Sequence, residues 1–284
     1  MRLLALTALT MVAFASNSIL NRWALLDGTT GPAAFQALRV VAGAVCLGVL
    51  LLLRGGLPPL LVRRRAVGTG SLMAYMLGFS FAYVALDAGV GALILFGGVQ
   101  VTMFAGALLK GERPPVLRWV GAAVAFGGLV WLLWPGAFGA PPLGAALMMG
   151  IAAVSWGIYS LAGRGASDPM AETGANFICS IPFALVALLI VQDGMSVSGA
   201  FLAIVCGAMT SGLGYALWYS VLPKLDAAVA ALVQLTVPVI AVLGGVLILG
   251  EVASGRLIMA SAVVLGGVAL GVLGGQRRMG SKRS

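Results

Sequence analysis

The chain has 284 residues, of which 61% are hydrophobic and only 9% charged, and its formal net charge is +9. A soluble domain of this length could not solvate so apolar a surface, and the mean hydropathy of +1.09 points to repeated bilayer-spanning helices of about 20 residues each. No histidine is present, which removes histidine metal sites, Ser/His/Asp triads and histidine proton relays.

With Gly, Pro and charge as punctuation, ten spans fall near 3–21, 32–53, 67–86, 90–109, 116–134, 142–162, 172–191, 198–222, 226–249 and 256–275. The expected fold class is therefore an all-α polytopic membrane protein with ten transmembrane helices. Cys46, Cys179 and Cys206 lie inside apolar runs and read as small core residues, not as a disulfide framework. If the N-terminus is cytoplasmic, fourteen Lys and Arg residues fall in inside segments and only Arg22 and Arg256 fall outside. That bias predicts a plasma (inner) membrane protein with both termini in the cytoplasm. It also assigns the basic charge to anionic lipid headgroups, so the expected partners are the bilayer and a small-molecule substrate, with no nucleic acid.

In chain order, the first span carries Asn17 and Asn21 four residues apart, on one helical face. An amide facing lipid has no partner, so this face looks onto a polar cavity or a neighbouring helix. The second span carries Arg39 with no acidic residue within a turn. It either snorkels to the interface or faces a cavity, where its planar fork suits a carboxylate. On the third span Tyr75, Phe79 and Tyr83 form one aromatic stripe. The fourth and ninth spans add Gln100 and Gln234. The fifth and tenth are rich in Gly and Ala, lack polar cavity groups and are expected at the periphery, packed on each other or on another subunit. The sixth presents Trp156, Tyr159 and Ser160, and the eighth presents Tyr215, Trp218 and Tyr219. Tyr83 and Tyr219 lie near span ends, where interfacial belt aromatics are the alternative to cavity lining.

An internal repeat organises these elements. An offset of 139 residues pairs ALDAGVGAL (85–93) with KLDAAVAAL (224–232), LKGE (109–112) with ILGE (248–251), and AFAS (13–16) with AAVS (152–155). Asp87 then meets Asp226, Glu112 meets Glu251, Phe79 meets Trp218, and Asn17 and Asn21 meet Trp156 and Ser160. Arg2 and the apolar run after it mimic a signal peptide, but a first span with a counterpart in the second half belongs to the mature fold. Five spans per copy force the second copy to insert upside down, giving two inverted five-helix repeats, 1–139 and 140–284. This is a recurrent architecture of secondary transporters, with the substrate between the halves. Asp87 and Asp226 each begin a span and read as N-caps; Glu112 and Glu251 read as holding helix ends or loops.

Ten spans in two inverted halves, with GE at 111–112 and 250–251 and QLTVP at 234–238, resemble the EamA branch of the drug/metabolite transporter superfamily over essentially the whole chain. Within it the chain is most similar to the YddG-type aromatic and neutral amino-acid exporters. The sequence departs from the pattern in the first half, where FGGVQ at 96–100 lacks the proline and Gly97 and Gly98 are expected to supply the backbone freedom instead. The resemblance implies a transporter and not an enzyme, with no cofactor.

Together these residues predict a central cavity lined by aromatics, amides and hydroxyls, suited to small neutral or zwitterionic metabolites, aromatic and other neutral amino acids above all. No Asp or Glu lies in the middle third of a predicted span, so the expected mechanism is alternating access by a facilitator or exchanger without a proton relay. The alternatives are a carrier of phosphorylated metabolites or nucleotide sugars, which needs more deep cations than Arg39, and a broad drug/metabolite exporter.

Overall fold

The apolar runs become helices because a chain in hydrocarbon must satisfy its backbone groups within itself. The computed structural model describes residues 1–63, 65–109, 111, 114–134, 140–163, 166–225 and 227–280, without the side chains of 227–229, 231 and 274–280. Arg64, Lys110, Glu112, Arg113, Arg164, Asp226, Lys282 and Arg283 lie outside the described residues, as do the side chains of Arg277 and Arg278.

The first half comprises α1 (Arg2–Leu25), α2 (Pro32–Leu53), α3 (Arg65–Tyr83), α4 (Ala88–Leu109) and α5 (Val116–Leu133). The second comprises α6 (Leu143–Gly163), α7 (Pro169–Val191), α8 (Val197–Val205), α9 (Gly214–Val221), α10 (Ala227–Gln234), α11 (Thr236–Leu249) and α12 (Gly255–Gly280). Among the described residues no strand occurs, and nine segments are long and apolar enough to cross a membrane. The remaining element, α3, carries Thr69, Ser71 and Ser80, and most of its residues are buried. It runs along α6 inside the bundle, so it needs less apolarity than a lipid-facing helix. Large apolar side chains such as Val49, Leu52, Phe126, Val130, Val186 and Leu189 are exposed, as lipid contact requires.

Local chemistry fixes the helix ends. Pro169 opens α7 behind an Asp168 N-cap that accepts from the Ala171 amide at 3.1 Å, and Ser196 caps α8 through Gly199 at 3.0 Å. Gly250 closes α11 at φ +69°, a left-handed position that glycine takes without penalty.

Two spans are interrupted. The eighth runs from α8 into a π-helical segment, Cys206–Leu213, before α9. There the Thr210 hydroxyl donates to the Cys206 carbonyl at 2.6 Å and to Asn17 Oδ1 at 2.5 Å. The ninth span breaks at Leu235, just after Gln234, whose carbonyl gets no N–H from Pro238 four residues on. Its counterpart α4 runs unbroken through Gly97 and Gly98. Those glycines make room for side chains of Val264, Leu129 and Ala153, so their role is close approach and not the backbone freedom expected from the sequence.

Helix pairings follow the 139-residue offset: α3 lies on α6 as the eighth span lies on α1, and α4 on α6 as α11 on α1. The fifth and tenth spans form a peripheral pair, α5 along α12, with backbones nearly touching. A Cβ on Gly121 would sit 2.5 Å from the Gly267 carbonyl oxygen and 2.6 Å from the Gly271 nitrogen. Gly127, on the same helix, has nothing within 4 Å of its Cβ direction. Gly121→Ala is therefore expected to lower the melting temperature in detergent by several degrees, about 1–3 kcal/mol of overpacking, whereas Gly127→Ala leaves it unchanged or slightly raised. Matched melts of the two variants check this; equal behaviour would remove the seam from the stability argument.

Candidate functional site

The helices surround a cavity of about 1310 Å³. That exceeds the usual single-ligand pocket of roughly 300–1,000 Å³, because the space extends to one face of the bundle. Its mouth is lined by Arg65 at the start of α3, Pro114 and Arg118 at the start of α5, Gly163 at the end of α6 and Pro169 at the start of α7. The α5–α12 pair also contributes wall here through Gly121, Ala122, Gly267 and Gly271, so the two helices are peripheral without being excluded from the cavity.

Aromatic rings from three helices converge on Trp156. Its centroid lies 4.7 Å from Tyr75, 5.2 Å from Tyr159 and 5.5 Å from Tyr215, all within the range of favourable ring contacts. Phe79 and Trp218 extend the wall, and Gln100, Ser160 and Gln234 also line it. The Tyr159 hydroxyl donates to Thr173 Oγ1 at 3.0 Å, and Thr173 and Tyr219 share a hydrogen bond of 3.1 Å.

At the closed end Asn17 lines the cavity while its Oδ1 receives Arg39 Nη2 at 3.0 Å, Thr210 at 2.5 Å and Ser211 at 3.4 Å. With the amide oxygen so engaged, its NH2 group is turned the other way. Arg39 is fully buried behind this amide, bonded through Nε and Nη2 to Ser211 at 3.3 and 3.2 Å and stacked 5.3 Å from the Phe79 ring centroid. Its Nη1 has no hydrogen-bond partner, and no carboxylate pairs with it, among the described residues. It does not snorkel, because the π segment packs over it: Gly207 lies against the Arg39 carbonyl and the Gly43 amide.

Of the candidate cavity residues named from the sequence, eleven share one cavity: Asn17, Tyr75, Phe79, Gln100, Trp156, Tyr159, Ser160, Tyr215, Trp218, Tyr219 and Gln234. Three do not. Arg39 stands one layer behind the lining. Asn21, one turn beyond Asn17, is enclosed where α1, α2 and α3 converge, and it donates to Ser80 at 2.9 Å, which donates on to Gln36 at 2.8 Å. Tyr83 is neither cavity wall nor interfacial belt; fully buried, it meets Phe79 edge-on at 4.7 Å and donates to the Ala88 carbonyl at 3.3 Å. The sequence reading missed Arg65, Glu172, Thr173 and Asn176, which line the mouth, and Ser211 and Thr210 behind the closed end. Thr173, Asn176 and Ser180, spaced three and four apart on the seventh span, were a readable polar stripe.

Beyond Asn17 the opposite face is shut by contacts between the two halves. Asp193 accepts from the Ala33 and Ala34 amides at 2.8 Å each, at the N-terminus of α2. Thr30 and Ser196 share a 2.7 Å hydrogen bond, and the Gly31 amide donates to the Gly194 carbonyl at 2.8 Å. Both Glu251 oxygens accept from the Ala88 amide at 2.9 Å, and Arg22 Nε stands 3.6 Å away. Glu251 thus holds a helix end as expected, and the end is α4, where Asp87 was expected to cap; Asp87 instead pairs with Arg22 at 3.8 Å. No cluster of three metal-ligating side chains occurs among the described residues.

A bundle of apolar helices around a cavity open at one face and latched at the other defines a membrane carrier. Residues 143–273 match the model of the EamA-like transporter family. The chain is 49% identical over 271 residues to the uncharacterized protein PA1977 of Pseudomonas aeruginosa, covering 95% of this chain and 94% of that one. A protein of known crystal structure, 24% identical, shares the fold with a TM-score of 0.65 over 94% of this chain and 98% of its own. The chain belongs to the EamA-like transporter family. It is an integral membrane transporter of small molecules and not an enzyme.

Burial raises the Glu251 carboxyl above its ordinary value, against the opposing pull of the Ala88 amide and Arg22. A carboxyl raised on folding stabilises fully below its unfolded value, and that contribution is lost as pH rises through the folded one. Melting temperature is therefore expected to fall as pH increases from the ordinary carboxylate range upward, and Glu251→Gln to flatten that slope. Melts from about pH 4 to about pH 7 check it; an unchanged slope in the variant would assign the titration to another group.

Proposed function

We propose that this transporter exports small neutral or zwitterionic metabolites, aromatic and other neutral amino acids in particular, from two inverted five-helix halves with both termini in the cytoplasm. In this reading the cavity mouth is the cytoplasmic face and the latched end the outer face. The halves exchange these roles during alternating access, as a facilitator or exchanger.

The observation that carries the reading is the pairing of an aromatic wall with a buried cation that lacks a counter-charge. Ionised groups taken out of water cost several kcal/mol unless paired, and every direct partner of Arg39 among the described residues is neutral. Its field acts on the closed end through Asn17, which lines the cavity and whose Oδ1 accepts from Arg39. An α-carboxylate placed there meets a donor backed by a positive charge, while an apolar or aromatic side chain rests on Tyr75, Trp156 and Tyr215. A phosphorylated cargo is the second reading, favoured by the cations Arg65 and Arg118 on the lining. Among the described residues the closed end supplies only Arg39, one layer back, for a dianion.

Two variants separate the parts of this site. Trp156→Ala removes a ring contact worth about 1 kcal/mol beyond area burial, so apparent affinity for tryptophan and phenylalanine is expected to drop several-fold more than that for alanine. Competition curves in proteoliposomes with matched folded protein measure it; equal losses would make Trp156 a packing residue. Arg39→Gln acts on the carboxylate that all these cargoes share and is expected to weaken alanine and tryptophan alike, by about tenfold. Transport competed by a hexose phosphate and indifferent to tryptophan would replace the amino-acid reading with the phosphorylated one.

A further inference from the structure

Arg65 begins α3 at the cavity mouth and is only 5% exposed, yet it lines the cavity. Its Nη2 stands 3.5 Å from Glu172 Oε2 on α7, while its Nε and Nη1 are buried without a hydrogen-bond partner among the described residues. A guanidinium carries five N–H donors in a rigid fork matched to a planar oxyanion, and leaving buried donors unmade is costly. The contact to Glu172 at 3.5 Å is longer than the roughly 2.8 Å of a well-made charge-assisted hydrogen bond, so a carboxylate meeting the fork directly is the better partner for Arg65. Glu172 lines the same cavity, with Thr173 and Asn176 following it along α7.

We propose that Arg65 and Glu172 form a second substrate station at the cavity mouth, in which Arg65 takes the carboxylate of a zwitterion and Glu172 takes its ammonium group. The proposal rests on the amino-acid reading above and adds a place where that cargo is recognised before it reaches the closed end. Arg65 and Tyr75 are ten residues apart on one helix, about 15 Å of rise, and Tyr75 belongs to the ring cluster beside Asn17 and Arg39. The wall between the two guanidinium groups is Tyr159, Trp156 and Tyr75. An incoming zwitterion exchanges one cation for the other while its side chain stays on aromatic surface.

The test uses three indole probes competing with labelled tryptophan in proteoliposomes of the full chain: tryptophan itself, tryptamine, which lacks the carboxylate, and indole-3-propionate, which lacks the ammonium group. Arg65→Gln is expected to weaken competition by tryptophan and indole-3-propionate about tenfold and to leave tryptamine unchanged. Glu172→Gln is expected to weaken tryptophan and tryptamine and spare indole-3-propionate. Arg65→Lys, which keeps charge but not the fork, should fall between wild type and Arg65→Gln. If Arg65→Gln does not fold, the selective loss in Glu172→Gln decides. Equal shifts for all three probes, or none, would make the pair a structural bridge and overturn the station while leaving the amino-acid reading intact. A wild-type protein that transports no tryptophan would overturn both.

Discussion

A guanidinium enclosed between helices, with hydroxyls and an amide but no carboxylate beside it, sets the terms for the centre of this molecule. Arg39 must find acceptors inside the bundle because the bilayer offers none. Asn17 Oδ1 and Ser211 Oγ supply them, and supplying them ties α1 and the eighth span to α2. The eighth span reaches Arg39 because its backbone widens into a π segment and because Gly207 and Gly212 let α2 come close. The ring of Phe79 covers the remaining face of the cation. The closed end of the cavity is therefore built outward from one charge.

Much of the architecture was readable because its signals are local or periodic. Apolar length marked the spans, and the residues that the 139-residue offset pairs, Asn17 with Trp156 and Phe79 with Trp218, all line the cavity. Long-range convergence was not readable. Asn17 and Asn21 share a helical face, yet one meets the cavity and the other a three-helix crossing, because α1, α2 and α3 close together within a single turn. A π segment leaves no mark in hydropathy, and its partner in the first half, within α3, is plain α-helix. Arg65 was hidden differently: as the last residue of RRR at 63–65 it looked like loop charge, and only the start of α3 turns it inward.

The two halves also differ in how they touch at each face. At the latched face α2 lies directly against α8 and the π segment, whereas the equivalent pair at the mouth, α7 and α3, packs less extensively and is bridged by Arg65 with Glu172 and Thr69 with Asn176. Helices that correspond under the 139-residue offset thus pack closely at one face and less closely at the other. The difference between the two faces accompanies a difference in secondary structure, since the eighth span carries the π segment and α3 is α-helical throughout.

Several of the closing contacts between loops and helix ends at the latched face are polar. Asp193 and Glu251, from one half, neutralise the positive ends of α2 and α4 from the other. Water can replace every one of these bonds at little net expense, since an amide or carboxylate leaving its partner is solvated at once. A seal of interdigitated hydrocarbon would have to expose apolar area to open, and would hold the carrier in one state. For a carrier working by the proposed alternating access, bonds that water can replace would add little to the free-energy difference between shut and open forms.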